Sequence, residues 1–220
     1  MELLEAIRER HSVRSYSDRA IEPEKKQILT DKIDAINKES GLHIQLISDE
    51  PKAFDGFMAH YGKFSGVTNY FALIGKKSAD LSEKCGYYGE QLVLLAQQLG
   101  LNTCWVAMSY SKVKSAYQIN PKEKLVIVIS LGYGNTQGVP HKSRAASEVS
   151  KADTDANWFT AGVEAALLAP TAMNQQKFSF EKKDNKVSAS AGSGFYSKVD
   201  LGIAKLHFEI GAGTENFKWA

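Results

Sequence analysis

The sequence contains no apolar run that approaches the roughly 20 residues needed to cross a bilayer. It has only two cysteines, Cys85 and Cys104, which are too few for a disulfide framework and lack the paired spacing of a metal site. The first residues have neither the basic segment nor the apolar core of a signal peptide. These absences predict a cytoplasmic protein without a membrane span and without a bound metal.

A large excess of either charge is also missing. The 220 residues include 27 basic and 25 acidic side chains, for a formal net charge of +2. This balance argues against a nucleic-acid binder that relies on bulk charge, so any basic site must be local. A hydrophobic fraction of 43% is sufficient for one large domain or two small ones.

The densest group of charged and hydroxyl side chains occupies residues 10–16, with the sequence RHSVRSY. Such a cluster is typical either of a solvated helix end or of a pocket for an anion. Two distant segments favour the pocket: Lys142 and Arg144 in the sequence KSR, and residues 170–174 in the sequence PTAMN. Nucleic acid is a weaker alternative ligand, because the cluster lacks interleaved exposed aromatics.

Apolar periodicity predicts a mixed α+β fold. The helices are expected at residues 2–9, 22–40, 80–99 and 158–170, with a last one beginning near residue 198. The strands are expected at residues 42–47, 67–74, 125–129, 177–182 and 186–191. The continuous run at 125–129 indicates a strand buried on both faces. Three glycines make residues 51–66 resemble an irregular connection.

A polar stretch at residues 145–155 marks a boundary between two sequence halves, 1–148 and 153–220. The order helix, strand, strand, helix occurs in both halves. Gly89 with Trp105, and Gly202 with Trp219, repeat at spacings that differ by one residue. The sequence therefore predicts a duplicated α+β unit, although spacing alone does not prove it.

Four segments resemble the motifs of FMN-dependent nitroreductases. Residues 10–16 resemble the R-[RH]-S-x-[RK]-x-[FY] opening, and residues 100–106 (GLNTCWV) resemble the G-L-x-[ST]-C-W-I turn. Residues 131–144 resemble the closing strand with its K-x-R pair, and residues 169–176 (APTAMNQQ) resemble A-P-S-x-x-N-x-Q. The resemblance covers most of the chain and implies a nitroreductase-like fold.

The position of the last motif departs from the usual pattern. In the family it follows the first motif by a few dozen residues, whereas here it lies near residue 170. The usual enzyme is a homodimer that binds each FMN between two subunits. A chain that duplicates the unit and keeps each motif in one copy implies a fused pseudo-dimer, with the two halves sharing one flavin site. The expected assembly is a monomeric pseudo-dimer or a homodimer.

The resemblance assigns the FMN phosphate and ribityl chain to Arg10, Ser12, Lys142 and Arg144. Guanidinium groups suit a phosphate because they form paired, charge-assisted hydrogen bonds. Taken alone, Arg10 and Lys142 are equally typical of solvated surface charges. His11 corresponds to a position that contributes backbone or ribityl contacts, and it has no proton-transfer role.

Arg14 matches the cation that lies beside the pyrimidine edge of the flavin in the family. A fixed positive charge there stabilises the negative charge that reduction brings to that edge. The alternative is a salt bridge from Arg14 to Asp18 or Glu22. The resemblance also makes Lys63 a further basic contact.

Backbone and second-half contacts complete the predicted site. Ala107 and Met108 follow the C-W-V turn, where the family places a backbone N–H near flavin N5. Contacts with the ring or its edge are assigned to Pro170, Thr171, Ala172 and Asn174. Asn174 can donate and accept hydrogen bonds, which suits the O4 and N3 edge, but it is also typical of a helix C-cap. Gln176 fits the motif and could equally be a turn residue.

The function implied is an FMN-dependent NAD(P)H oxidoreductase. Hydride would pass from NADH or NADPH through FMN to an electron-poor small molecule, such as a nitroaromatic or a quinone. No catalytic side chain is identified, since the flavin does the chemistry and Arg14 stabilises charge. The alternative is a flavin-binding module without turnover, which would store or sense FMN. The acceptor and the preferred nicotinamide stay open.

Overall fold

Helices and strands are mixed along the whole chain in the computed structural model, which describes residues 1–220. The seven α-helices are α1 (Leu3–Glu9), α2 (Pro23–Ser40), α3 (Phe57–Tyr61), α4 (Leu81–Gln98), α5 (Ala146–Val149), α6 (Asn157–Ala166) and α7 (Ser197–Ala212). The eight strands are β1 (Gln45–Ile47), β2 (Asn69–Lys76), β3 (Asn102–Val106), β4 (Glu123–Gly132), β5 (Ser150–Ala152), β6 (Phe178–Lys183), β7 (Lys186–Ala191) and β8 (Lys218–Trp219). The α+β class expected from the sequence is confirmed.

The strands form two four-stranded sheets. The first sheet has the order β1-β2-β4-β3, and all of its neighbouring strands are antiparallel. The second has the order β5-β6-β7-β8, in which β6 and β7 form an antiparallel hairpin and the two outer pairs are parallel. In the first sheet, β1 comes after helix α2, and its antiparallel neighbour β2 comes before helix α4. In the second sheet, β6 comes after α6, and its antiparallel neighbour β7 comes before α7.

The chain divides into two compact units that are each discontinuous in sequence. Unit 1 contains residues 1–9, 82–91 and 140–220, and unit 2 contains residues 10–81 and 92–139. The predicted halves, 1–148 and 153–220, have different boundaries from these units. The reason is that packing joins elements far apart in the chain, which a local change of composition does not reveal. The duplication itself stays a prediction.

The core of unit 2 is built on β2 and β4. In the register of this pair, Phe71 lies opposite Ile129, and both side chains are fully buried. Strand β4 is buried from Ile127 to Leu131, so the predicted buried run at 125–129 is confirmed for its last three residues, while Leu125 and Val126 are half-buried. One further cluster packs Phe54 against Phe64 and Tyr70, with ring centroids 5.3 and 5.8 Å apart.

The core of unit 1 is aromatic and is centred on Phe208 of α7. Its ring is fully buried and stacks on Phe180 of β6 at a centroid distance of 4.7 Å. Phe217 and Phe159 approach the same ring edge-on at 5.2 and 5.6 Å. Edge-to-face and offset pairs add stability beyond the burial of their area. This cluster packs α7 against α6 and the β6–β7 hairpin.

Local signals explain the ends of the long helices. Pro23 occupies the first turn of α2, where its missing N–H has no intrahelical partner. Gly41 ends the helix in the left-handed conformation, with φ of 71°, and its N–H donates to the carbonyl of Asn37. The predicted helices at 22–40 and 80–99 are confirmed as α2 and α4. No helix of the chain has the length and apolar character required to cross a bilayer.

Three segments differ from the sequence-based expectation. The connection at 51–66 contains a turn of 3-10 helix and α3, which are too short to show periodicity. The polar stretch at 145–155 forms α5 and β5, and Ser150 of β5 pairs with Phe180. The strand shows no apolar pattern in the sequence, because only Val149 is buried in this stretch. Helix α6 ends at Ala166 rather than at Pro170.

Within unit 1, α7 packs closely against residues 82–91 of α4 through two glycines. A Cβ atom added to Gly86 would overlap the carbonyl oxygen of Val199, and one added to Gly202 would overlap the carbonyl oxygen of Glu83. The two contacts are reciprocal. Gly86 meets Val199, which lies three residues before Gly202, and Gly202 meets Glu83, which lies three residues before Gly86. Such reciprocity is the property of contacts related by a two-fold axis. These contacts pair Gly202 with Gly86, whereas the spacing in the sequence pairs it with Gly89.

Replacing Gly86 with alanine tests this packing. The new methyl group meets backbone rather than a flexible side chain, so we expect a loss of about 1–3 kcal/mol in the free energy of unfolding. This loss should exceed the gain in helix propensity, which is below about 1 kcal/mol. Urea unfolding followed by circular dichroism measures it. Gly192→Ala is the control, because its nearest added contact is an ordinary 3.4 Å. Equal stability of the two variants would contradict the packing account.

Candidate functional site

The predicted site residues are divided between the two units. Those in unit 2 are Arg10, His11, Ser12, Arg14, Lys63, Ala107 and Met108. Those in unit 1 are Lys142, Arg144, Pro170, Thr171, Ala172 and Asn174. Each set forms its own network of hydrogen bonds.

In unit 2, residues 10–16 run beside two other segments and bond to both. Ser12 forms a parallel bridge with Thr103, and the N–H of Val13 donates to the Thr103 carbonyl at 3.0 Å. The N–H of Ser65 donates to the Arg14 carbonyl at 3.0 Å. These bonds fix the backbone of the basic motif between β3 and the connection that leads into β2.

Tyr16 anchors the end of this segment. Its phenol is 4% exposed, donates to the Val13 carbonyl at 2.8 Å and lies 2.8 Å from the Ser130 hydroxyl. Burial raises the pKa of Tyr16 well above its ordinary value, so the group stays a neutral hydrogen-bond donor. The turn at residues 13–16 is therefore held to the buried end of β4.

Two glycines allow the surrounding loops to approach the motif. Gly66 has φ of 70°, and an added Cβ would overlap the carbonyl oxygen of Tyr16. Gly138 has φ of 75°, and an added Cβ would lie 2.8 Å from the Cβ of His11. Only glycine adopts this backbone without strain and also leaves the required space.

The two arginines of the motif have different environments. Arg10 is only 5% exposed, which contradicts its reading as a solvated surface charge. Arg14 is exposed, and its guanidinium lies 5.9 Å from the centroid of the Phe64 ring. Arg14 forms a salt bridge with neither Asp18 nor Glu22, and Glu22 is paired with Arg19 at 2.6 Å. Arg14 therefore keeps its guanidinium available for a ligand.

Cys104 lies close to the motif but is a core residue. Burial raises the pKa of its thiol, and the nearby charges of Arg14 and Arg10 and a hydrogen bond with Ser12 only partly oppose that effect. A buried thiol whose pKa is raised is a poor nucleophile. Cys104 thus contributes packing beneath Arg10, Ser12 and Arg14 rather than chemistry.

Lys63 and the segment after β3 lie in one neighbourhood of unit 2. Lys63 is exposed in the left-handed conformation and stands two residues before Ser65, which bonds to Arg14. An added Cβ on the adjacent Gly62 would overlap Ser109, which directly follows Met108. Met108 itself is 68% exposed. The loop that carries Ala107 and Met108 therefore packs beside the loop that carries Lys63.

In unit 1, hydrogen bonds join the two predicted segments directly. The carbonyl oxygen of Lys142 accepts from the Asn174 amide at 2.9 Å and from the Gln176 amide at 2.8 Å. The N–H of Arg144 donates to the side-chain oxygen of Gln176 at 2.8 Å. Residues 142–144 and 170–176 are thus brought together, although about 30 residues separate them in sequence.

Gln176 is the centre of this network and was not among the predicted site residues. Its side chain is 1% exposed, and all of its polar atoms have partners, including the Asn174 side-chain oxygen at 2.8 Å. Gln176 is therefore more than a turn residue. The signal available in the sequence was the last glutamine of the family motif. The C-cap reading of Asn174 is wrong, because α6 ends at Ala166 and is capped at Leu167.

Asp200 supports the same loop from the first turn of α7. Its carboxylate accepts from the N–H of Ala172 at 3.0 Å and from the Gln175 amide at 2.7 Å. Burial raises the pKa of Asp200 to about 6, against the opposing effect of those two hydrogen bonds. No functional signal marks Asp200 in the sequence, since an acid in a first helical turn is ordinary.

The side chain of Arg144 is engaged at the surface of unit 1. Its guanidinium lies 3.1 Å from the carboxylate of Glu148, one turn further along, with 43% and 48% of the two side chains exposed. Exposed pairs of this kind contribute at most about 1 kcal/mol. An anionic ligand could therefore replace Glu148 at little cost.

Comparison with known proteins identifies the relatives of this architecture. The family model described as "Putative TM nitroreductase" matches residues 2–212. A putative nitroreductase from Thermotoga maritima is 24% identical with a TM-score of 0.67, over 96% of this chain and 83% of the other. No curated protein matches the chain.

Two further solved structures cover a smaller share of the chain. A putative NADH dehydrogenase/NAD(P)H nitroreductase from Bacteroides thetaiotaomicron is 21% identical with a TM-score of 0.53, over 67% of this chain and 95% of the other. A nitroreductase family protein from Streptococcus pneumoniae is 14% identical with a TM-score of 0.54, over 67% of this chain and 98% of the other. These similarities confirm the nitroreductase-like fold expected from the motifs.

The raised pKa of Asp200 predicts a pH-dependent stability. The folded state binds this proton more tightly than the unfolded state, because the folded pKa of about 6 exceeds the ordinary value of 3.8. Stability from this group is therefore lost as the pH rises from about 4 to about 6. Asp200→Asn removes the effect, so the wild type should lose about 3 kcal/mol relative to the variant across that window.

Urea unfolding of both proteins at several pH values measures the difference. Subtracting the free energies of unfolding of the two proteins at each pH cancels the contributions of all other carboxyl groups, because both proteins contain them. The exposed Asp155→Asn is the control and should follow the wild type at each pH. Parallel curves for the wild type and Asp200→Asn would refute the assignment.

Proposed function

Because the chain belongs to the nitroreductase family, we propose that it is an FMN-dependent oxidoreductase that uses NADH or NADPH to reduce an electron-poor small molecule. Nitroaromatics and quinones are the acceptor classes. The observation that carries the proposal is the cross-link made by Gln176, which joins the K-x-R pair to the P-T-A-M-N segment. Both segments carry flavin contacts in the motif resemblance, and their direct bonding supports a common role.

The residues fit an anionic cofactor in their chemistry. Neither Arg14 nor Lys63 forms an ion pair with a carboxylate, and Arg10 is a buried cation whose charge acts on the Cys104 thiol, which is hydrogen-bonded to Ser12. A phosphate carries nearly two negative charges and is bound well by several such donors. We assign Arg10, Ser12, Lys142 and Arg144 to the phosphate and ribityl chain of FMN.

Arg14 has a separate role in the proposal. FMN, when bound, supplies hydride transfer between the nicotinamide and the acceptor. Arg14 contributes a fixed positive charge beside the pyrimidine edge, where electrostatic stabilisation is most effective because the donor is already oriented. Its contact with Phe64 restricts the guanidinium without neutralising it. Backbone N–H groups of Ala107 and Met108, and the residues Thr171, Ala172 and Asn174, orient the ring.

The proposed duplication is supported by two observations. The reciprocal contacts of Gly86 and Gly202 are those of a two-fold related helix pair. Two solved relatives use 95% and 98% of their own length to cover only 67% of this chain. One copy of the fold thus leaves about a third of the chain for a second, shorter copy. We propose one FMN per chain, with contacts from both sequence halves.

Arg144→Ala tests the phosphate assignment. Losing a charge-assisted hydrogen bond of about 1.5–3 kcal/mol should weaken FMN binding by at least about tenfold. The side chain is exposed, so the variant is expected to fold normally. Quenching of flavin fluorescence on titration with the apoprotein gives the dissociation constant. Arg8→Ala, which removes an exposed cation from α1, should bind FMN like the wild type. Unchanged affinity in Arg144→Ala would remove this residue from the site.

Arg14→Gln tests the role of the charge beside the ring. We expect flavin reduction by NADH or NADPH to slow about tenfold, because about 1.4 kcal/mol of charge stabilisation is lost. The same loss should lower the midpoint potential by about 30 mV for a two-electron couple. Anaerobic stopped-flow absorbance and a potential titration measure the two effects, with Arg8→Gln as the control.

Two outcomes would contradict this account. An unchanged potential in Arg14→Gln would show that the guanidinium does not face the flavin. A bound flavin that neither nicotinamide reduces in the wild type would favour the alternative of a binding module that stores or senses FMN.

A further inference from the structure

A second concentration of positive charge lies in unit 2, at the far end of β4 from the basic motif. Residues 10–16 meet the carboxyl end of β4, where Tyr16 bridges Gly134. The amino end of β4 begins at Glu123, and the strand extends to Gly132. At about 3.3 Å per residue, the two ends are about 30 Å apart. This region is therefore separate from the residues assigned to FMN.

A cavity of about 480 Å³ opens at the amino end of the strand. Half of its lining residues are lysines, and the others include three apolar or aromatic side chains and one acid. The lining consists of Lys77, Lys112, Lys114, Tyr117, Ile119, Glu123, Lys124 and Leu125. A volume of this size is ordinary for a site that binds a small organic molecule.

The lysines of this cavity are not neutralised by the protein. Lys77, Lys112, Lys114 and Lys124 are all exposed, and none of them forms an ion pair. The one acid, Glu123, is already bonded to His43 at 2.9 Å and to the N–H of Asn120 at 2.8 Å. Four ammonium groups and one carboxylate leave an excess of positive charge around the cavity, which favours an anionic ligand.

The backbone around the cavity increases this charge density. Lys76 ends β2, and the N–H of the following Lys77 donates to the carbonyl of Lys122 at 2.9 Å. Lys122 has φ of 69°, a conformation that usually selects glycine or asparagine. Lys122 therefore adopts a strained backbone conformation while its carbonyl is bonded to the N–H of Lys77. With a net charge of only +2 for the chain, the clustering is a local feature.

The remaining walls of the cavity are apolar. Tyr117 is 8% exposed and presents a ring, while Ile119 and Leu125 present aliphatic side chains. A lysine is a compact point charge that suits phosphate, and an aromatic ring suits the flat face of a base. A ligand that satisfies both parts carries several negative charges and an apolar or aromatic portion.

We propose that this cavity binds an organic polyphosphate of nucleotide size, with its phosphates among Lys77, Lys112, Lys114 and Lys124 and its organic portion against Tyr117, Ile119 and Leu125. The site is independent of the FMN assignment. A cavity of this volume matches a small molecule rather than an extended nucleic acid.

Isothermal titration calorimetry with ATP tests the proposal on the full chain. Lys112→Glu combined with Lys114→Glu should weaken ATP binding by at least about tenfold, because two attractions become repulsions. The matched control combines Lys183→Glu with Lys186→Glu, which changes an exposed cross-strand pair in the β6–β7 hairpin. This control should change the affinity for ATP less than about twofold. Circular dichroism checks that both variants are folded.

Inorganic tripolyphosphate serves as the second probe. It should bind more weakly than ATP, because it lacks the portion that contacts Tyr117, Ile119 and Leu125. Equal affinity for the two probes would overturn that part of the proposal. Absence of ATP binding at millimolar concentration, or equal loss in the cavity variant and the hairpin control, would overturn the site.

Discussion

The constraint on which the candidate site depends is that a buried polar side chain must have its hydrogen-bonding capacity filled. Leaving such a group without a partner costs about 1–3 kcal/mol, which is a large part of the stability of a domain. Gln176 meets this constraint in unit 1 by bonding to Lys142, Arg144 and Asn174. Tyr16 meets it in unit 2 by bonding to the Val13 carbonyl. In both units, a buried polar group fixes the backbone of a motif, and Arg14, Lys142 and Arg144 stay at the surface while Arg10 is buried.

The same principle explains why the cations differ in role. Arg10 is buried and belongs to the framework as much as to the ligand site. Arg14, Lys63 and Arg144 are exposed, and their positive charges are either without a carboxylate partner or held in a weak surface pair. Because the backbone is already fixed, anion binding has to order only the side chains, at about 0.5–1.5 kcal/mol for each one immobilised. The site is therefore preorganised by its uncharged residues.

Sequence patterns were sufficient for the parts of the fold that repeat regularly. Helices α2 and α4 and the hairpin β6–β7 follow from periodicity and glycine positions, and the four motifs indicated the family. The patterns were insufficient where one residue acts across a long sequence separation. Asp200 resembles any acid in a first helical turn until its bond to Ala172 is known. Helix α5 and strand β5 are too short for a period, and the two units interleave segments that no local boundary separates.

Flavin stoichiometry measured together with native mass is the most direct test of the central claim. The account predicts that flavin extracted from the purified protein corresponds to one FMN per chain, whatever the number of chains in the particle. Native mass spectrometry should resolve one bound FMN on each intact chain. Two FMN molecules per chain, or a flavin retained only by a particle of two chains, would contradict the fused pseudo-dimer. A chain that binds no FMN would contradict the proposed function itself.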